Sequence, residues 1–235
     1  MRRKGLVVNE GRTTATRPAT RRPPRRAGER KARARNHEDR WTDIIERAGA
    51  IFYRKGYEAT SLQDIADAVG MLKGSIYYYI KTKEDLLYEL VSRAQDMFEA
   101  TLEEDEETAS SPAPVRLRAF IGRWMALTSR EREWGLVAER EFMRLSKRRL
   151  KRVIERRDEL SGYVKDIIRQ GIDEGAFDPT TDESVGAAAI FELMKTSHLW
   201  HRPSGPLTMV ELGDWYATFA IRGLGGPHWR DRKPG

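Results

Sequence analysis

Between Gly70 and Thr82 the chain sets Lys73, Ser75, Tyr77, Tyr78 and Tyr79, one ammonium and four hydroxyl groups, on a seven-residue run. A lysine neutralises phosphate, and hydroxyls bond phosphate oxygens or the edges of bases. The preceding residues look built to hold such a run in place. Thr60 with Gln63 three residues on reads as a capping box, which satisfies free amides at a helix start. Leu62, Ile65, Ala66 and Val69 then share one face at helical spacing. Gly70 suits the left-handed turn that other residues resist, and Lys73 to Tyr79 forms a second short helix. Two short helices around a glycine-bearing turn describe a helix-turn-helix reader of double-stranded DNA.

On that reading, Ser75 and Tyr78 address base edges, and Lys73, Tyr77 and Tyr79 address phosphate. Lys83 does the same from the start of a further helix expected from Thr82, whose free amides also favour an anion. Thr60 either caps helix 2 or touches phosphate. The plainer alternatives are that Tyr77 packs on helix 1 and that both lysines are simply solvated. Of Tyr78 and Tyr79, one should point outward and one inward.

Composition narrows the rest. Residues 1–40 hold 14 Lys or Arg against 4 Asp or Glu, a net +10, which leaves −3 for the remaining 195 residues. A basic segment so poor in large apolar side chains cannot offset its chain entropy, so residues 1–36 are expected to be a disordered tail. Its arginines either follow phosphates or enter a minor groove, or they form a solvated extension. The absence of cysteine excludes disulfides, thiolate metal sites and cysteine nucleophiles. No apolar run approaches membrane-spanning length, and the basic start has no apolar h-region. Those features make the cytoplasm the expected location, with no membrane partner.

The body reads as all-α, with about nine helices. Helix 1 is expected from about His37 to Lys55, helices 2 and 3 are the pair above, and helix 4 starts at a Thr82–Asp85 capping box. The acidic Glu103–Glu107 and the run to Pro114 break it. Longer helices follow over about 115–129, 133–145 and 147–175, then one capped by Asp182 and a last one after a Thr208–Glu211 box. The expected divisions are a DNA-binding domain at 37–81, helix 4 with an acidic linker at 82–107, an effector and dimerisation domain at 108–226, and a disordered tail at 227–235.

In that second half Trp124, Trp134, Phe142, Tyr163, Phe191 and Met194 are spaced to face inward, as ordinary core or together as the lining of an apolar cavity. His198 is a candidate polar group there, or a structural histidine. Arg202 would meet a carboxylate or phosphate, or anchor its loop. The basic run from Lys147 to Arg157 reads as a solvated helix face pairing with Glu155, Asp158 and Glu159, or as an attractor for an anionic ligand. Gly186 to Ala189 with Trp200, Trp215 and Phe219 suit a two-fold interface through the last two helices.

The stretch from Ile44 to Leu90, with Ala48, Phe52, Gly56, Thr60, Ile65, Ala66, Gly70, Lys73, Gly74, Tyr77, Lys83 and Leu86 in place, resembles the TetR family of transcriptional regulators. Leu72 stands where a serine usually caps helix 3, and Tyr78–Tyr79–Ile80 replace the usual His-Phe ending. The segment from Leu199 to Thr208 resembles a subgroup that controls fatty-acid or sterol-derivative breakdown. The resemblance implies a homodimeric repressor on a palindromic operator, released by a small lipophilic or acyl-CoA-type effector. The alternative is a regulator or architectural DNA-binding protein without an effector. Four histidines without metal-ligand spacing, and no P-loop, HExxH or dinucleotide glycine motif, argue against an enzyme, a metal or a cofactor.

Overall fold

A computed structural model describes residues 27–130, 132–202 and 204–225, with side chains from His37 onward except at Arg132. The chain divides into two compact units, Met1–Asp39 and Arg40–Gly235. Of the first, residues 27–39 are described and are helical. Residues 1–26 and 226–235 lie outside the described residues, and with them most of the expected basic tail and the whole expected tail at 227–235.

Ten α-helices and no strand occur among the described residues. They are α1 (Ala27–Lys55), α2 (Leu62–Ala68), α3 (Lys73–Ile76), α4 (Lys83–Glu99), α5 (Glu106–Ala109), α6 (Ala113–Arg130), α7 (Arg132–Glu141), α8 (Lys147–Asp173), α9 (Glu183–Trp200) and α10 (Met209–Gly223). None is long and apolar enough to cross a membrane among the described residues. The all-α expectation therefore holds, with three differences of detail. Helix α1 begins at Ala27 rather than near His37, so residues 27–36, expected to be disordered, are helical. Helix α3 is shorter than expected and closes at Ile76. The tenth helix, α5, sits within the acidic break, where Asp105 accepts from the Thr108 amide and caps it.

Two hydrophobic cores organise the second unit. The first joins Ile44, Ile45, Ala48 and Phe52 of α1 to Ile65 and Ala66 of α2, Ile76 of α3, and Leu86, Leu87, Leu90 and Val91 of α4. Val137 and Ala138 of α7, Leu145, and Val153 of α8 complete it. The second gathers α6, α8, α9 and α10 around Phe120, Ile121, Val164, Ile167, Ile168, Met194 and Leu212. Gly213 lets α10 lie close on α6, since a Cβ there would stand only 3.1 Å from the Cβ of Met125. Helix α8, about 40 Å long at 1.5 Å per residue, contributes side chains to both cores. The packing thus does not divide at the acidic segment, because α7 and the first turns of α8 are part of the N-terminal core.

Candidate nucleic-acid interface and apolar cavity

Helix α2 is capped one residue later than its sequence suggests. Ser61 is the N-cap: its hydroxyl accepts from the Asp64 amide at 3.1 Å, while Asp64 Oδ2 accepts from the Ser61 amide at 2.7 Å. The Ser61 amide first, then the Ser61 hydroxyl donating to the same Oδ2 at 2.7 Å, and the Lys55 ammonium hold the Asp64 carboxyl down at about 2. Beyond α2, Gly70 takes φ 63°, and the Met71 amide reaches back to the Ala66 carbonyl at 2.8 Å. The chain then turns into α3, whose Ile76 is buried, as is Ile80 just after it. With those two inward, Lys73, Ser75, Tyr77 and Tyr78 are exposed, Tyr78 to 78%. Tyr79 packs half-buried on the first core, its ring edge-on to Tyr78 at 5.4 Å. The outward and inward tyrosines are thus Tyr78 and Tyr79 respectively.

Thr60 and Lys83 stand apart from this face. Thr60 is only 2% exposed, and its hydroxyl donates to the Gly56 carbonyl at 2.7 Å instead of capping α2. Lys83 Nζ donates to the carbonyls of Tyr57, Glu58 and Thr60 at 2.8, 3.2 and 2.9 Å, and lies 4.3 Å from the Tyr57 ring centroid. An ammonium has three donors, and all three are taken. The start of α4 is equally occupied. Thr82 and Asp85 form the expected capping box, Glu84 accepts from the Ser146 amide at 3.0 Å, and Arg149 bridges Glu84 and Asp85. The Asp85 carboxylate accepts from the Lys81 and Thr82 amides at this helix start, at 3.2 and 2.8 Å, and the Asp85 amide donates to the Thr82 hydroxyl at 3.2 Å.

A cavity of about 280 Å³ lies among α4, α6, α7, α8 and α9. Phe98 stacks on Trp124 at 4.1 Å between centroids, and Phe191 meets Trp124 edge-on at 5.3 Å; these three rings form its aromatic wall. Met194 and Leu136 add aliphatic surface. Its polar margin is Glu139, which accepts from Arg157 at 2.8 Å and from Lys195 at 3.4 Å, with His198 beside them. His198 Nδ1 lies 2.5 Å from the Lys195 carbonyl, which can only accept, so that nitrogen carries the proton.

Of the residues expected to line a cavity, Trp124, Phe191, Met194 and His198 do so. Trp134 and Phe142 instead pack on the first core, Phe142 beneath the Arg157 guanidinium at 3.8 Å. Tyr163 lies behind the wall against Phe120, and burial, then the neighbouring Glu104 carboxylate, push its hydroxyl up to about 12. Arg202 is exposed on its loop and is not among the lining residues. Gln95, Phe98, Glu139 and Lys195, which sequence spacing had not singled out for it, also line the cavity, as does Arg157 of the basic run.

Arg149, Arg156 and Arg157 of α8 pair across helices rather than along their own. Arg149 holds Glu84 and Asp85, and Arg156 holds Glu99 at 2.5 Å and Asp96 at 2.6 Å. Between them, Gln95 donates to the Val153 carbonyl at 2.8 Å. Lys151 with Glu155 is the one expected pairing along the helix that appears, at 3.7 Å. Helix α4 is therefore tied to α8 near both of its ends, while Val91, Ala94 and Phe98 of that same helix line the cavity.

On the outer side of α9 and α10, Val185, Leu199, Trp200, Val210, Trp215 and Phe219 are all exposed, Trp215 to 64% and Phe219 to 65%. Gly186 and Ala187 do not join them. Ala187 is buried, and a Cβ on Gly186 would meet Ile168 at 3.1 Å, so both serve the inner packing.

Comparison with known proteins places these features in one group. Residues 44–90 match the model of bacterial regulatory proteins of the tetR family, and residues 110–224 match the tetracyclin repressor-like C-terminal domain. The chain is 27% identical over 182 residues to the HTH-type transcriptional repressor KstR2 of Mycobacterium tuberculosis, covering 77% of this chain and 91% of that protein. It is also 27% identical to the fatty acid metabolism regulator protein of Bacillus subtilis, covering 79% and 95%. Among solved structures, the ketosteroid regulator KstR2 of M. tuberculosis superposes with a TM-score of 0.71 at 28% identity, over 79% of this chain and 95% of that one. AibR in complex with isovaleryl coenzyme A and operator DNA gives 0.69 at 25% identity, over 77% and 97%. With both halves matched in order along one chain, and the helix-turn-helix geometry in place, this protein belongs to the TetR family of transcriptional regulators.

Proposed function

We propose that the protein is a cytoplasmic homodimeric repressor that binds a two-fold-symmetric operator through α3 and leaves it when a small apolar effector enters the cavity. The observation that carries this reading is the double duty of α4. Its Leu86, Leu87 and Leu90 pack under the DNA-reading helices, and its Val91, Ala94 and Phe98 form part of the cavity wall. A ligand that prefers a shifted α4 weakens operator binding by its differential affinity for the two positions. Lys73 and Tyr77 would hold phosphates, and Ser75 and Tyr78 would address base edges. The apolar outer face of α9 and α10 would meet the same face of a second copy, setting two α3 helices about 34–36 Å apart.

At about 280 Å³ the cavity sits just below the usual small-molecule range of roughly 300–1,000 Å³. It suits a compact acyl group rather than a whole coenzyme A thioester, whose polar part would extend past Arg157 and Lys195. The similarity to AibR, solved with isovaleryl coenzyme A and operator DNA, supports that class of effector.

The test selects an operator from random duplexes with the full-length protein. Short and medium acyl-CoA thioesters, free fatty acids and coenzyme A alone are then titrated onto the complex. Release by a thioester but not by coenzyme A, with a change in Trp124 fluorescence, is the expected result. Selection of a duplex that no effector releases would support an effector-independent regulator instead, and selection of no duplex would sink the reading altogether.

A further inference from the structure

We infer that Leu72 reads a thymine methyl group in each operator half-site, so the operator carries an A·T pair at a fixed place beneath the leading end of α3. This rests on the proposed DNA-reading role and specifies what that role recognises. Leu72 occupies the N-cap position of α3 with extended backbone, φ −68° and ψ 143°, and its side chain makes no capping bond. Its backbone does the work of starting the helix, since the Leu72 carbonyl accepts from the Ser75 amide at 2.8 Å. The side chain contributes nothing comparable to the fold and is 80% exposed, more than any other large apolar side chain among the described residues.

A single exposed leucine on a protein surface needs no explanation. This one heads a surface that is otherwise polar, immediately before the exposed Lys73 and Ser75. The leading residues of a recognition helix are those that meet base edges. An isobutyl group pressed onto a polar base edge leaves that edge's donors and acceptors without partners. Within the major groove the C5-methyl of thymine is the apolar feature that a base pair presents, and an aliphatic side chain selects for it. Gly74 strengthens the placement. A Cβ built there meets nothing within 4 Å, so its smallness serves no packing within the chain. A missing side chain two residues after Leu72 leaves room for the backbone to approach a duplex closely.

The experiment replaces each thymine of the selected operator, one at a time, by deoxyuridine. That change removes the methyl and keeps the pairing, and it is first measured with the unaltered full-length protein. One thymine per half-site should then weaken binding about fourfold, the worth of roughly one buried methyl. With Leu72→Ala the penalty at that thymine should vanish, whereas with Lys73→Ala it should persist. Indifference of the unaltered protein to every deoxyuridine would overturn the inference, as would an undiminished penalty in Leu72→Ala. Either result on a duplex that is still bound leaves the DNA-reading role intact, whereas failure to select any duplex removes that role itself.

Discussion

Lys83 and Lys73 differ in what surrounds their ammonium groups, and the difference separates two kinds of mutant. Lys83 joins the chain after α1 to the start of α4 through three carbonyls, so Lys83→Met should cost about 1–3 kcal/mol of stability, read as a lower urea midpoint. Lys73 is exposed on the reading face. Lys73→Ala should leave the urea midpoint unchanged, weaken duplex binding, and reduce the slope of log K against log salt by about 0.9 per recognition helix. An unchanged salt slope would remove Lys73 from the phosphate contacts. Both lysines stand at positions that carry the family resemblance, and pattern alone treats them alike. What distinguishes them is the fold, which brings residues 57–60 around one and leaves the other open.

The helix starts were legible to different degrees. Thr82–Asp85, Asp182 and Thr208–Glu211 cap their helices as their spacing implies. At α2 the spacing marked Thr60 with Gln63, whereas the box that forms is Ser61 with Asp64 one residue on. Local pattern cannot choose between them, and the burial of Thr60 against the Gly56 carbonyl decides. The Ser61 box is sensitive to acid. The Asp64 carboxyl is held at about 2 in the fold against an ordinary 3.8, so its contribution is complete above pH 4. It is lost as pH falls from about 4 to 2. The stability difference between the unaltered protein and Asp64→Asn, followed by urea unfolding from pH 6 downward, should therefore close over that interval. A difference that stays constant to pH 2 would contradict the assignment. The arginines of α8 show the other limit. Arg149 and Arg156 find partners 57 to 65 positions away, which no reading along a single helix reveals. Trp134 and Phe142 share that limit, since helical spacing marks a side chain as inward but does not say which core receives it.

At the scale of the molecule, the exposed aromatics of α9 and α10 make the proposed assembly testable. Trp215→Glu places a charge in a face that would be buried between copies, at a position whose exposure lets the single chain fold normally. Sedimentation should show the unaltered protein as a dimer and Trp215→Glu as a monomer. The variant should also lose most of its affinity for the two-fold operator while keeping its helical circular dichroism. An unaltered protein that sediments as a monomer would end the two-fold account. The all-helical architecture and the reading face were visible in the sequence because they depend on local periodicity. The true extent of the N-terminal core was not, since it depends on α7 and α8, which follow the acidic break.

That shared core bears on how this regulator can be taken apart. Val137, Ala138, Leu145 and Val153 close the underside of the DNA-reading helices from beyond residue 107. A fragment ending at the acidic segment would carry every exposed α3 side chain and still lack the floor beneath them. Chimaeras that graft this reader onto a foreign sensor half would therefore have to bring the α7–α8 corner with it, because the natural seam for such a transplant runs through α8 between Val153 and Leu160.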